Sequence, residues 1–204
     1  MLQRVYANLE PFTADKKIGS RVRYWRGFAL WRRAINGFNE NADPKDQEGD
    51  LTQGLAEFKE AILVDPGFVD AKIGAISCLS NLVYLARGNT DRVQELIGQS
   101  SPMVKEVKAS DPDNPRFLWV IGPILWNIPA DGGGGQDKAM EGYLRGLDAA
   151  GKRKSAAGDP LDPSWGEPEL LMSLGWSELN RTTADLDAAE KHARSALALV
   201  PYWH

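Results

Sequence analysis

The chain has 204 residues, 43 % of them hydrophobic, and a formal net charge of −4, which is enough apolar material for a substantial core and argues against both disorder and a nucleic-acid partner. One cysteine, Cys78, excludes an internal disulfide and a cysteine-based zinc site. The longest apolar run, residues 117 to 126, is about half of the ~20 residues that a membrane helix needs, so no membrane span is expected.

In chain order, residues 1 to 11 form a short helix ending near Pro11, with no basic region followed by an apolar stretch, hence no visible signal peptide. From Ile18 onward, Tyr24, Phe28, Trp31, Ile35 and Phe38 alternate spacings of four and three, which predicts a long helix with an aromatic seam. Arg21, Arg23, Arg26, Arg32 and Arg33 lie between them and are expected on a solvated face. Residues 39 to 50 are rich in Asp and Glu, but Lys45 stands where a calcium loop needs a ligand, so the stretch reads as a solvated connector.

Leu51, Gly54, Leu55, Phe58, Ala61 and Ile62 form the next amphipathic face, stopped by Asp65-Pro66-Gly67. A helix from Phe68 to about Ala86 follows, with Ala71, Ala75, Cys78, Leu79 and Leu82 inward; Cys78, with neither histidine near in sequence, reads as a core residue. Residues 91 to 110 hold either one helix kinked at Pro102 or two short ones, the second capped by Ser101.

Asn114 then caps a helix with Pro115 at its first position, and Gly132, Gly133, Gly134 and Gly135 force a turn before a further amphipathic helix carrying Ala139, Tyr143, Leu147 and Ala150. The glycines are expected to supply positive φ angles; the lysine of a phosphate loop is missing after the last of them. Arg116, in the first turn of its helix where the dipole disfavours a cation, is expected to pair with Asp131 or Asp137. Lys152-Arg153-Lys154 closes the second helix, and after a proline-rich connection Trp165-Gly166 is expected to dock an indole between helices. Leu171, Leu174, Gly175 and Leu179 define the next helix. Thr182 or Thr183 should cap the last, which carries Leu186, Ala189, Ala193, Ala196, Leu197 and Val200 on one face. The apolar Tyr202-Trp203 ending suggests a truncated chain.

The second helices share a frame. Gly54-x3-Phe58-x2-Ala61-x4-Pro66 matches Ala189-x3-Ala193-x2-Ala196-x4-Pro201, and Ala139-x3-Tyr143-x2-Gly146 fits without the proline. Small residues let neighbouring helices approach, and the large one fills the gap. With Leu174-Gly175, this pattern resembles the tetratricopeptide repeat. Asn114-Pro115-Arg116, the four glycines and Trp165-Gly166 together resemble a group of bacterial repeat proteins, often exported, over roughly residues 20 to 200. The resemblance implies an all-α fold of about nine helices in antiparallel pairs (18–65, 68–110, 114–151, 167–200), stacked as a right-handed solenoid in a single domain over residues 1–204. It also suggests a periplasmic or exported location, and it brings no active site.

The expected function is a non-catalytic binding scaffold. The first helices of the pairs hold Tyr24, Trp25, Trp31, Tyr84, Trp119, Trp126 and Trp176, and seven tryptophans are many for this length. Tyr24, Trp25, Trp119 and Trp126 are the ligand candidates on the concave face, the first three expected to face solvent. A protein or peptide is the expected partner, with a small molecule or sugar as a further possibility. His192 and His204 are the only histidines and no hydrolase, metalloprotease or phosphate-loop motif occurs, so no catalytic residue, cofactor or metal is expected. Alternatives are an assembly subunit that packs on itself through its apolar last helix, and a carbohydrate-binding accessory of a transport system.

Overall fold

A computed structural model describes residues 1–154 and 159–201, and every described segment of regular structure is helical. Among the described residues nine α-helices follow one another: α1 (Leu2–Asn8), α2 (Gly19–Asn39), α3 (Pro44–Val64), α4 (Val69–Leu85), α5 (Thr90–Ser110), α6 (Pro115–Asn127), α7 (Gln136–Lys154), α8 (Glu167–Asn180) and α9 (Leu186–Leu199). Among the described residues no helix is long and apolar enough to cross a membrane. The Tyr202-Trp203 ending and His204 lie outside the described residues.

The helices form two compact units. The first comprises Met1–Ser110 with Pro160–Asp162, the second Asp111–Asp159 with Pro163–His204. Within the first, α2 packs on α3, α3 on α4, α4 on α5, and α2 also touches α4; within the second, α6 packs on α7, α7 on α8, α8 on α9, and α6 touches α8. Each helix pair therefore lays its second helix against the next pair's first, and the two first helices meet. That is the packing order of a tetratricopeptide-like array within each unit.

The shared frame of the second helices has a direct steric basis. Phe58 of α3, 1 % exposed, fills space left by two glycines: a Cβ on Gly27 of α2 would lie 3.1 Å from its ring, and one on Gly74 of α4 2.5 Å from it. Tyr143 occupies the same slot on α7, where a Cβ on Gly122 of α6 would collide with its ring. In α9 the slot holds Ala193, so the backbones themselves approach: a Cβ on Gly175 of α8 would sit 3.2 Å from the Ala189 carbonyl oxygen. Ala61 and Ala196, the third positions of the frame, are both fully buried.

Several boundaries differ from expectation. The acidic stretch before Leu51 is not a connector: α3 begins at Pro44, capped by Asp43, whose Oδ1 accepts the Lys45 N–H at 2.9 Å. Carboxylates crowd there because a helix's first turn favours them. Gln47 and Asp50 are buried as a result. Residues 90 to 110 form one helix through Pro102, and Ser101 is no cap, since its hydroxyl donates back to the Ile97 carbonyl at 2.8 Å. The last helix is capped by Asp185, which accepts from Ala188 N at 2.9 Å, while Thr182 donates through both N and Oγ1 to Gln136 Oε1.

Burial of Tyr143 carries a measurable pH dependence. Exclusion from water pushes its hydroxyl up to about 12, against a hydrogen bond with Ser173 that acts the other way. Above about pH 10 the unfolded chain loses this proton while the folded one keeps it, so stability present below pH 10 drains away as pH rises toward 12. The loss attributable to this one group is of the order of 2–3 kcal/mol. Denaturant midpoints at about pH 9 and about pH 11.5 should therefore fall further apart in wild type than in Tyr143→Phe.

Candidate functional site

In the first unit the aromatic seam of α2 divides into an inner and an outer row. Tyr24 and Trp31 are seven residues apart, two helical turns, and so share a face. Trp31 is 2 % exposed and its indole N–H donates to Ser77 Oγ at 2.9 Å. Tyr24, expected to face solvent, is instead 1 % exposed, its ring centroid 5.5 Å from that of Phe58 and 5.2 Å from that of Phe68. It is a core residue because its register puts it against α3 and α4.

Trp25, one residue and about 100° further round, is half-buried, with its indole N–H donating to the Leu161 carbonyl at 2.8 Å. One turn earlier, Arg21 donates through Nε to Asp162 Oδ1 at 3.0 Å, pairs with Asp65, and lies 4.0 Å from the centre of the Phe68 ring. The chain's own segment Pro160–Asp162 thus occupies the polar edge of Trp25. Tyr84, 55 % exposed in the last turn of α4, is one exposed aromatic of this unit, Phe12 at 51 % being another; Tyr84 stands edge-on to Phe38 at 5.7 Å, with the Arg87 guanidinium 4.6 Å from its ring centre. Its phase betrays it: Tyr84 stands two residues, about 200°, past the buried Leu82.

The arginines of α2 are not a solvated face. Arg26, only 4 % exposed, donates to Glu57 Oε1 at 2.8 Å, Arg23 to Glu57 Oε2 at 3.1 Å, and Arg33 pairs with both oxygens of Asp50. Arg32 is half-buried beside Trp31. The partner carboxylates sit on α3, which periodicity within α2 alone does not reveal.

In the second unit the polar features serve to seat aromatics. Asn114 Oδ1 accepts the Arg116 and Phe117 amides at 3.0 and 3.4 Å, which starts α6. Arg116 is buried and donates through Nη1 to the Trp165 carbonyl at 3.0 Å. Gly166 has φ of +127°, its N–H donates to Glu169 Oε2 at 2.9 Å, and a Cβ there would press on Arg116 Cγ. The Trp165-Gly166 turn therefore rests on Arg116, which corrects the pairing expected with Asp131 or Asp137. Asp137 is bound by Arg181 at 3.4 Å, and Asp131 is exposed with no ion pair among the described residues. The Trp165 carbonyl accepts from the buried guanidinium, whereas both aspartates are exposed.

The glycine turn itself is closed. Gly132 N donates to Pro129 O, Gly133 N to Ala130 O, Gly134 N to Pro129 O and Gly135 N to Leu125 O at 2.9 to 3.2 Å, so these amides are already engaged by carbonyls. Gly133 and Gly135 have φ of +84° and +108°, the left-handed region that glycine alone enters freely. A shallow groove of about 310 Å³ runs between this turn and Arg181–Thr183, where Arg181 is already paired with Asp137 and Glu178. Among the described residues no three His, Cys, Asp or Glu side chains converge as metal ligands.

Above these supports lie two edge-on indole pairs. Trp119 and Trp165, both half-buried, meet at 5.8 Å and 90°. Trp126 of α6 is half-buried and meets Trp176 of α8 at 5.2 Å and 63°, and Trp176 is 54 % exposed. Of the four ligand candidates the structure brings Trp126 into an open pair; the partner it finds, Trp176, stands two residues past the buried Leu174. Met172 and Leu179 of α8 are exposed as well, at 39 % and 54 %.

Comparison with family models finds no match, and neither does comparison with curated proteins. Among solved structures the chain is similar to MamA 41-end from Desulfovibrio magneticus RS-1, at 15 % identity and a TM-score of 0.41, over 98 % of this chain and 96 % of that one.

Proposed function

We propose that the protein is a non-catalytic scaffold that binds a protein or peptide partner through the exposed aromatic faces of its first helices. The observation that carries this reading is the Trp126–Trp176 pair: a large indole half in water, held edge-on by a second indole, on a surface where α6 and α8 lie side by side. An indole so placed offers a rigid apolar anchor at little entropic cost, the type of residue that dominates interface energies. Tyr84 with Phe38 is the corresponding feature of the first unit.

The test is selection of a random peptide library on the immobilised full chain, followed by calorimetry of the selected peptides on wild type and Trp176→Ala. The side chain is half in water and packs on Trp126, so its loss should cost about 1–2 kcal/mol of stability, while binding should weaken by about 2 kcal/mol or more. Peptides that bind both proteins equally would contradict the proposal.

A second reading is favoured by α9, where Leu186, Leu197 and Leu199 are 65 %, 44 % and 44 % exposed. Self-association through this face would bury them. Light scattering then shows a mass that rises with concentration in wild type and not in Leu186→Glu/Leu197→Glu; a mass that stays monomeric in both excludes it.

A further inference from the structure

The buried arginine of α2 is completed by a segment none of whose own residues is fully buried, Leu2, Tyr6 and Leu9 being half-buried. Arg26 Nη1 donates to the Tyr6 carbonyl at 2.7 Å, its guanidinium lies 3.9 Å from the centre of the Tyr6 ring, and Nη2 pairs with Glu10. Yet no residue of α1, nor of the 3-10 turn Glu10–Phe12 after it, is buried; Val5 and Phe12 are 40 % and 51 % exposed. Several of the contacts that hold this stretch against α2 thus converge on one side chain.

Charge explains why the contact exists. On α2 and α3 two guanidiniums, Arg23 and Arg26, share one carboxylate, Glu57, which leaves one positive charge over beneath the segment. Glu10 supplies the missing negative charge, Tyr6 a π face, and the Tyr6 carbonyl an acceptor. Tyr6 and Glu10 are four residues apart, the spacing that puts two side chains on one side of a helical segment.

We propose that the Arg26 surface is a docking site for a partner helix that carries an aromatic residue followed four positions later by a carboxylate, and that residues 2–12 are its displaceable in-chain occupant. This surface is independent of the Trp126–Trp176 pair, and either can fail without the other. Tethering gives the in-chain segment a high effective concentration, so a partner gains access only when it is stronger or when the segment is weakened.

The test uses the full chain, as wild type and as Tyr6→Ala/Glu10→Gln, with a synthetic peptide of residues 1–15 as the probe, followed by fluorescence anisotropy. The peptide should bind the double variant about tenfold more tightly than wild type, or more. Peptides carrying Tyr6→Ala or Glu10→Gln should each lose about tenfold. Equal affinity for the two proteins, or no binding to a double variant with the wild-type circular dichroism, overturns the proposal. A wild-type dimer in light scattering that the double variant lacks also overturns it, because the occupant is then the same segment of a second copy. If the double variant does not fold, hydrogen exchange on wild type decides: amides of residues 2–9 that open locally, well before those of α2, support a displaceable segment, and protection equal to that of α2 refutes it.

Discussion

Phe58→Ala should be among the most damaging single substitutions in the first unit, lowering stability by about 3–5 kcal/mol. The ring is 1 % exposed and stands where α2, α3 and α4 meet, with Gly27 and Gly74 shaped to its sides and Tyr24 against it at 5.5 Å. Two of its neighbours are glycines with no side chain to move inward, so the cavity cannot be refilled locally. Chemical denaturation should show a lower midpoint with little change in slope. A cost below about 1 kcal/mol would mean that the helices close over the gap, and that the large residue of the repeat frame does not set their spacing.

Glu57→Leu should cost about 3–5 kcal/mol as well, for an electrostatic reason. Glu57 is the shared acceptor of Arg23 and Arg26, and with it gone Arg26, 4 % exposed, keeps only contacts to the amino-terminal segment. Arg26→Met should cost less, because Glu57 retains Arg23. The double variant Arg26→Met/Glu57→Leu should be more stable than Glu57→Leu alone, since the guanidinium that is only 4 % exposed is then removed with its carboxylate, and the charges that lose a partner, Arg23 and Glu10, have access to water. A double-mutant cycle from denaturation midpoints measures this, and purely additive costs would contradict the buried network.

Helix content was readable because apolar spacing is a local property: α2, α4, α6, α7 and α8 follow it closely. Cys78, inward on α4, is fully buried, and that burial raises its thiol pKa well above the ordinary range. What escaped the sequence depends on distant partners. Whether Arg26 faces water is decided by Glu57 and Glu10, thirty-one residues after it and sixteen before it in the chain. The acidic start of α3 looked like a solvated loop because helix-favouring carboxylates and solvent-facing ones are the same residues until a cap such as Asp43 is located.

The candidate site was legible in its composition and not in its membership. That aromatics gather on the first helices was evident, but their exposure depends on register. Tyr24 turned inward because it shares a face with Trp31, and Trp25 is half-buried because Leu161 returns to its indole. The supports of the second unit were visible as Asn114, Arg116, Gly133, Gly135, Trp165 and Gly166, while the hydrogen bond linking them, Arg116 to the Trp165 carbonyl, spans forty-nine residues and has no local signature.

If partners are held on the first-helix aromatic faces, hydrogen exchange of the full chain with and without a selected peptide will show it. Exchange should slow in the carboxyl-terminal halves of α6 and α8, around Trp126 and Trp176, or of α2 and α4, around Phe38 and Tyr84, with α7 and α9 unchanged. Protection confined to α7 or α9, or none at a peptide concentration that saturates binding, would contradict it.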